Sequence, residues 1–427
     1  MTTLLPRPGT DPPGGTAPAR GMFHFRFLAV AHAVASYGNF LNMVALSLFA
    51  YQVTGSALHT GLFMALRIGS GFLMGFGTGQ LVSRFCRKRI MVVVNLVQAA
   101  AMTVLLLTPA AVTPLLYVVA VVIGAGGTVM AVALRSAVPE IVGSERRVAG
   151  NGWLTAGRSV AMVAGFASSG VLIATGGYGS VFAVNIGAFL LAAAIVAALP
   201  IRTRSAAEQP GAGRLHGHRV AVALFAASPV LMGMLAVRAI VNIGAAAANV
   251  SIPIHSTALN PSSPATFMAQ FWTVWAVGNI VAQLELGRRS RRTGHGVGEW
   301  TFVAGACVMS AASVFVFTGW PLAAVLAAAL VTGAASGVAE NGYHSRLQEA
   351  PDAQRGHLFG LSLSAENLSF GTGMVVAATL LDHVTPLPVV ATISTVTIVA
   401  ALGFAGVLLG VRGRDGSSRR SQRDSSG

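Results

Sequence analysis

The segment GQLVSRFCRKR, residues 79–89, occurs a second time in altered form as AQLELGRRSRR, residues 282–292. The two copies are 203 positions apart (282 − 79), and each is a short basic stretch between two long apolar runs. The repetition indicates a chain built from two similar halves, and the nature of the flanking apolar runs decides what kind of fold those halves adopt.

The apolar runs are long enough to cross a membrane. Of the 427 residues, 54% are hydrophobic and 10% are charged, whereas soluble proteins have about 25% charged residues. A spanning helix needs about 20 mostly apolar residues. Twelve predicted spans cover roughly residues 27–51, 60–82, 90–108, 115–137, 153–174, 181–199, 230–254, 266–286, 300–318, 321–344, 357–381 and 388–411. The composition excludes a disordered chain, a disulfide scaffold and an ordinary cytosolic enzyme, and it predicts an all-α polytopic membrane protein.

Positive charge is confined to alternate loops. The loops after spans 1, 3, 5, 7, 9 and 11 contain no lysine or arginine, whereas the other loops and both tails carry nearly all of it. Because cytoplasmic loops carry an excess of these residues, the pattern predicts an inner-membrane protein with both termini in the cytoplasm. It also argues against nucleic-acid binding despite the net charge of +15, and it makes the lipid bilayer the expected environment.

The longest internal loop divides six spans from six. We expect a disordered cytosolic tail at 1–22, an N-terminal half at 23–201, a cytosolic linker at 202–228, a C-terminal half at 229–411 and a disordered cytosolic tail at 412–427. A second echo supports the division, since Pro139 precedes Arg147 as Pro351 precedes Arg355. Two parallel six-helix halves are typical of secondary transporters, whose substrate site lies near the midplane between the halves.

At these residues the chain resembles a known family. Leu62 to Arg89, the segment RSAVPEIV at 135–142 continuing through Arg158, and Leu347 to Gly360 resemble the major facilitator superfamily, in particular its macrolide-efflux and enterobactin-exporter-like drug exporters. The resemblance covers spans 1 to 12 and excludes the tails. It implies two pseudo-symmetric six-helix halves around a cavity lined by helices 1, 4, 7 and 10.

The loop between spans 2 and 3 resembles the family signature Gly-x-Leu-x-Asp-Arg-x-Gly-Arg-Lys. The matching residues, which the resemblance makes candidates for a cytosolic gate, are Gly79, Leu81, Arg84, Arg87 and Lys88. Ser83 replaces the Asp that helps to lock this gate in the family, and Cys86 replaces the second Gly. We expect Arg158 of helix 5 and Glu285 of helix 8 to form a latch instead. The alternative is that Glu285 pairs with an arginine of its own loop.

Acidic residues inside spans are costly and usually functional. Glu340 of helix 10 and Arg238 of helix 7 lie at similar depth in the inner half of the bilayer. An Arg238–Glu340 pair would let Glu340 release a proton when the pair forms and take one up when it opens. The alternatives are a fixed structural pair, or a glutamate that extends to the cytosol.

Glu366 of helix 11 is the other candidate for proton coupling. Arg67 of helix 2 would face it but lies nearer the outside, so the two differ in depth. The alternative is a neutral Glu366 that is hydrogen-bonded to Ser362 or Ser369 of its own helix. Five asparagines in helices 1, 7 and 10 are candidate substrate ligands, with interhelical hydrogen bonding as the alternative role: Asn39, Asn42, Asn242, Asn249 and Asn341.

The sequence therefore predicts a monomeric secondary active transporter that exports a lipophilic small molecule, a drug or secondary metabolite, by proton antiport with alternating access. It predicts no enzyme, cofactor or metal site, since no phosphate-binding loop and no metal-ligand spacing is present. A facilitator-type importer or uniporter of a small nutrient is the alternative, because the family's antiporter stretch is altered to GFASSG at 165–170. A receptor or scaffold without transport activity is disfavoured because the longest loop is too short for an extramembrane domain.

Overall fold

A computed structural model describes residues 17–143, 146–200, 225, 228–293, 298–349 and 352–424. These residues are almost entirely helical, and no strand occurs among them. Most of the predicted linker 202–228 and of the tail 1–22 lies outside the described residues. Helix α12 continues to Asp424, so the segment predicted as a disordered tail is helical to that residue.

The helices follow the predicted spans in order. Their bounds are α1 Ala17–Thr54, α2 Ala57–Arg84, α3 Arg87–Leu107, α4 Val112–Val142, a long helix Arg147–Ala198, α7 Pro229–Leu259, α8 Pro264–Thr293, α9 Glu299–Phe315, α10 Leu322–Gln348, α11 Asp352–Leu381 and α12 Pro386–Asp424. The long helix breaks at Gly177, whose φ of 67° and ψ of −173° are not helical. We call its two arms α5 (147–176) and α6 (178–198).

Local sequence explains where several helices begin and end. Gly55, at a φ of 64°, ends α1 because glycine adopts this left-handed conformation without steric penalty. The Ser56 hydroxyl then accepts a hydrogen bond from the backbone N–H of His59 and caps α2. Ser228 caps α7 in the same way, with Pro229 at the first helical position, where proline is favoured.

Within the described ranges, eight helices are long and apolar enough to cross a membrane, as judged by length and composition, and the long helix Arg147–Ala198 supplies one of them. Glu299–Phe315 is a shorter apolar helix. Helices α8 and α11 are less apolar, and each contains residues that face the interior of the bundle, such as Asn279 and Gln283 in α8 and Asn367 in α11. Their polarity therefore reflects the cavity described below.

In each half, a glycine allows the same pair of helices to approach each other closely. A Cβ on Gly124 of α4 would lie 1.8 Å from the backbone oxygen of Arg67 in α2, and one on Gly333 of α10 would lie 2.0 Å from that of Trp275 in α8. No side chain fits at either place, so the helices approach at backbone distance, as small residues allow in membrane proteins. The packing of the two halves thus repeats, as the sequence echo predicts.

The helical bundle has two distinct ends. The basic end is where α2 gives way to α3 and where Arg84, Lys88 and Arg89 lie. The sealed end is the opposite one, where α1 meets α2 and α11 meets α12.

Candidate functional site

A cavity of about 1560 Å³ lies between the two halves. Helices α1, α2, α4 and α5 form most of its wall, and α3, α7, α8 and α11 complete it. Its volume exceeds the roughly 300–1,000 Å³ of a typical small-molecule pocket. The position between the halves is the one that the sequence predicts for the substrate site.

The cavity ends in tight packing at the sealed end. The lining residues Ser47, Phe63 and Met374 are only 2%, 2% and 3% exposed. A Cβ on Gly61 of α2 would lie 2.3 Å from the Cβ of Ala378 in α11. Since α2 belongs to one half and α11 to the other, the halves touch directly here and leave no passage.

A carboxylate adds a polar contact to this seal. Asp382, which follows α11, accepts hydrogen bonds at its Oδ1 from the backbone N–H groups of Ala57 at 2.9 Å and Leu58 at 3.3 Å. The hydroxyl of Ser56 donates to the same oxygen at 3.4 Å. These N–H groups start α2 and have no partner within the helix, so Asp382 joins the C-terminal half to the N-terminal half.

A second contact of the seal joins α5 to α8. The Phe166 and Trp272 rings lie 5.7 Å apart between centroids, and a Cβ on Gly170 would lie 2.8 Å from that of Ala269. Both contacts involve the ends of α5 and α8 that are farthest from the basic end. Together with the α2–α11 contact, they close the cavity across its full width.

Toward the basic end the cavity is open. Here the lining residues Phe76, Val132 and Leu363 are 46%, 38% and 61% exposed. The ion pairs among the described residues, such as Arg87–Glu140 and Arg346–Glu299, each join residues of one half. In the part of the chain that the structure describes, the central cavity is therefore open at the basic end and closed by contacts between the halves at the sealed end.

The N-terminal half lines this cavity with Arg67 on α2, Arg135 on α4 and Arg158 on α5. Within the described residues, none of the three makes a hydrogen bond or ion pair through its guanidinium group. Arg158 lies over the Phe40 ring, 5.2 Å from its centroid. No aspartate or glutamate lines the cavity in the part of the chain that the structure describes.

The C-terminal half holds a closed polar network instead. Arg238 of α7 donates through Nε and Nη2 to Oε2 of Glu366 on α11, at 3.1 and 3.0 Å. The Ser362 hydroxyl donates to the other carboxylate oxygen at 2.8 Å, and Tyr343 of α10 shares a 2.7 Å hydrogen bond with Ser362. Arg238 and Glu366 are only 12% and 15% exposed, so the network is shielded from water.

This network corrects the expected Arg238–Glu340 pair. Similar depth along two helices does not establish that they are neighbours on the same face, and α7 packs directly on α11, where a Cβ on Gly373 would lie 2.8 Å from the Cα of Ile243. Arg238 therefore reaches Glu366. The expected hydrogen bond from Ser362 to Glu366 is present, although the carboxylate is also paired, and Ser369 bonds only the backbone oxygen of Glu366.

Glu340 is half-buried on α10 and faces the other half. Its carboxylate interacts electrostatically with Arg158 across the space between the halves. The Arg158–Glu285 latch is expected in the outward-open state, and it is not formed in this conformation, which is open at the basic end. Glu285 instead forms an ion pair at 2.9 Å with Arg289, one turn further along α8. This is the alternative pairing, and it arises because residues four apart on a helix lie on one face.

In this conformation the described contacts of the loop-signature residues lie within the N-terminal half. Arg87, 6% exposed, forms an ion pair with Glu140 of α4, and Lys88 donates to the backbone oxygen of Leu199 at 2.7 Å. The Leu81 carbonyl accepts from Phe85 to end α2, and Arg84 is exposed. Gly79 lies within α2. The described contacts tie α3 to the ends of α4 and α6.

The five asparagines separate into two groups. Asn39 and Asn249 line the cavity. Asn42 is fully buried and donates to the sulfur of Met102 at 3.5 Å, which joins α1 to α3. Asn242 is buried outside the cavity lining, and Asn341 donates to Gly337 within its own helix.

Residues 28–350 match the sequence profile of the Major Facilitator Superfamily. The match covers far more than half of the chain. The chain belongs to the major facilitator superfamily. Members of this family are transporters rather than enzymes, and the multi-pass helical bundle agrees with that membership.

Solved structures show the same superfamily fold. The nucleoside transporter NupG has 11% sequence identity and a TM-score of 0.72, over 90% of this chain and 99% of its own. A bacterial homologue of the human lysosomal transporter Spinster, inward-facing and occupied, has 15% identity and a TM-score of 0.69, over 92% and 97%. The peptide transporter POT has 14% identity and a TM-score of 0.67, over 92% and 95%. No curated protein matches the chain in sequence.

Several residues of this superfamily cavity escaped sequence reasoning. Arg67 was considered only as a partner for Glu366, and Arg135 only as part of the family resemblance. Asp382 lies between the spans predicted at 357–381 and 388–411, where the sequence indicates no role for it. The signal for the arginines was their position, because a charged side chain within an apolar span is a functional candidate by default.

Proposed function

We propose that the chain is an inner-membrane exporter of a lipophilic small molecule, a drug or secondary metabolite, that works by proton antiport with alternating access. The observation that carries the proposal is the large cavity between the halves, closed at the sealed end and open at the basic end. A carrier that alternates between two such states exposes one central site to each side of the membrane in turn.

The distribution of positive charge indicates how this carrier is oriented in the membrane. Arg84, Lys88 and Arg89 lie at the basic end, and loops rich in Lys and Arg remain in the cytoplasm. The basic end is then cytoplasmic, as are both termini, and the cavity faces inward. An exporter in this state takes up its cargo from the cytosol or the inner leaflet.

The cavity wall suits an apolar cargo. Phenylalanine and methionine side chains contribute at many points around it: Phe40, Met43, Phe63, Met64, Phe72, Phe76, Met130, Met162, Phe370 and Met374. Methionine adapts to irregular shapes, and aromatic rings offer large contact areas. A cavity of this composition favours a drug-like molecule over a small polar nutrient.

Glu366 is the group that we assign to proton coupling, with Arg238 as its partner. In this conformation the carboxylate forms an ion pair with Arg238. A rearrangement within the C-terminal half that separates α7 from α11 would break this ion pair, and we assign proton uptake to Glu366 in that state. Re-forming the pair expels the proton, so each cycle can carry one proton against the cargo.

Glu340 has a second role in this cycle, as a gate. It acts on Arg158 across the open cavity, and closing the basic end would bring the two into contact. Arg158–Glu340 then replaces the Arg158–Glu285 latch as the contact that holds the outward-open state. Glu340 thereby remains a coupling candidate, because it is exposed to a different partner in each state.

Cellular accumulation tests the proposal. A host without its own pumps would express the wild-type chain, Glu366→Gln or the control Arg89→Gln, and take up a panel of lipophilic antibiotics with and without protonophore. We expect lower accumulation of some compounds with wild type and Arg89→Gln, and loss of this effect with protonophore or Glu366→Gln. Higher accumulation that protonophore does not affect would favour the facilitator-type importer.

A further inference from the structure

We propose that the cargo is an organic anion, with an acidic head group that binds to Arg67 and Arg158 and an apolar body that fills the rest of the cavity. This inference rests on the proposed transport function and specifies its substrate class. It follows from the charges of the cavity wall rather than from its volume.

The three arginines lie at successive depths. Counted along their helices from the basic end, Arg135 is seven residues in (142 − 135), Arg158 eleven (158 − 147) and Arg67 seventeen (84 − 67). At roughly 1.5 Å per residue these are depths of about 10, 16 and 25 Å. The cationic groups therefore extend from the mouth of the cavity to its floor, along the path that a cargo follows.

No carboxylate of the described wall balances these charges. Arg135 and Arg158 are close enough for their charges to act on each other, and both act on His32. Like charges held together in a site of low dielectric destabilise one another, and an unpaired charge in an apolar span is costly. Glu340 acts on Arg158 only from the other half. An anion between these groups would remove the cost.

Arg67 is the strongest indication of a bound head group. Its helix touches α4 at Gly124, so the backbone is fixed, and its guanidinium faces the cavity without a protein partner in the described structure. Asn95 and Gln98 of α3 line the same region. A guanidinium group binds carboxylate, sulfonate and phosphate through paired hydrogen bonds, and amides nearby can donate further ones.

The apolar part of the cargo would contact other side chains of the cavity wall. Phe370 and Met374 of α11 line the opposite wall at the level of the floor, with Phe63 and Met64 beside them. These side chains offer no partner for a second charge. Among the described residues, the arginines of the wall lie on the N-terminal half alone, whereas apolar side chains line the cavity on both halves. This combination fits an amphipathic anion better than a neutral or cationic drug.

A pair of probes with the same ring system tests the charge preference. Radiolabelled anilinonaphthalene sulfonate and its uncharged parent, phenylnaphthylamine, would be titrated onto the purified full chain in lipid discs, with empty discs subtracted. We expect the anion to bind about tenfold or more tightly, because hydrogen bonds to charged groups are strong. Arg67→Gln and Arg158→Gln should each reduce anion affinity about tenfold and leave the affinity of the neutral probe within about twofold.

Controls separate this result from loss of folding and from surface charge. Arg67→Lys keeps the positive charge and should retain part of the anion affinity. Arg89→Gln, on the exposed face of α3, should leave it unchanged. If Arg67→Gln elutes as aggregate in size-exclusion chromatography, Arg158→Gln, which is exposed to the cavity, carries the test.

Three results would overturn the inference: equal affinity for the two probes, anion affinity unchanged in Arg67→Gln and Arg158→Gln, or an equal loss in Arg89→Gln. Binding does not require transport, so the two proposals fail separately. Anion-selective binding without export in cells would leave the substrate class and refute the exporter. Proton-driven export with no preference for anions would do the reverse.

Discussion

The two halves of the molecule share one construction but use charge in opposite ways. Arg158 lies eleven residues from the start of α5 (158 − 147) and Glu366 lies fourteen from the start of α11 (366 − 352), so both are about three to four turns from the basic end. In the N-terminal half the charge faces the cavity without a hydrogen-bonded partner. In the C-terminal half it is enclosed with Arg238.

This difference suggests a division of labour between the halves. A charged side chain left free in a cavity is available to a ligand, and its cost is offset only when the ligand is bound. A charge enclosed with a counter-charge responds instead to the geometry of its own half. We therefore assign cargo recognition to the N-terminal half and proton coupling to the C-terminal half.

The largest effect is expected from breaking the enclosed pair. Arg238→Gln should destabilise the fold by about 3–5 kcal/mol, because it leaves Glu366 buried without a counter-charge. Arg238→Gln/Glu366→Gln should recover much of this stability, and thermal unfolding measures both. As a control, Glu285→Gln breaks an exposed pair and should leave the midpoint unchanged. A single Arg238→Gln variant as stable as wild type would show that the pair is not the element that distinguishes the C-terminal half.

The next effect concerns the contact between the halves at the sealed end. Gly61→Ala places a methyl group where Ala378 already lies, and such overpacking costs about 1–3 kcal/mol. The midpoint of unfolding should fall. Gly69→Ala is the matched control, since a Cβ there meets nothing within 4 Å. Equal effects of the two substitutions would contradict the close approach of α2 and α11.

Much of the fold could be predicted from the sequence. Hydropathy and loop charge placed the spans, and the break between α5 and α6 at Gly177 falls in the loop predicted at 175–180. Partner choice was not accessible, because hydropathy gives depth along a helix but not which helices touch. The Arg238–Glu340 pair failed for that reason. The Arg158–Glu285 latch stays a prediction for the outward-open state, and in the present conformation Glu285 pairs with the local partner Arg289.

A smaller effect is expected from the cap that Asp382 provides. Asp382→Asn should weaken the seal by about 0.5–2 kcal/mol, the usual range for a helix cap, and raise the population open at the sealed end several-fold. Ser47→Cys, introduced into Asp382→Asn and into the parent chain after Cys86→Ser and Cys307→Ser, reports this opening to an impermeant maleimide added outside cells. Labelling no faster in Asp382→Asn than in the parent would remove Asp382 from the seal.

The smallest effect is expected from the contact that crosses between the halves at the basic end. Arg158→Glu and Glu340→Arg should each lower the population closed at the basic end, seen as slower labelling of Ser47→Cys from outside. The double exchange should restore part of this population, with a coupling energy of about 0.5–1 kcal/mol. The coupling is small because the two groups meet in only one of the alternating states. The control pair is Arg158→Glu with Glu285→Arg, for which no rescue is expected. Rescue by Glu285→Arg alone would reinstate the latch with Glu285.

The division of labour is tested most directly by comparing exchange with uphill transport in proteoliposomes, using a compound that the accumulation panel identifies. Glu366→Gln should retain counterflow of labelled against unlabelled cargo and lose accumulation driven by a pH gradient. Arg67→Gln should bind the cargo with weaker apparent affinity in both assays. Its uptake should still depend on the pH gradient. If Glu366→Gln still concentrates cargo in response to the pH gradient, proton coupling does not reside in the C-terminal pair and the central claim is wrong.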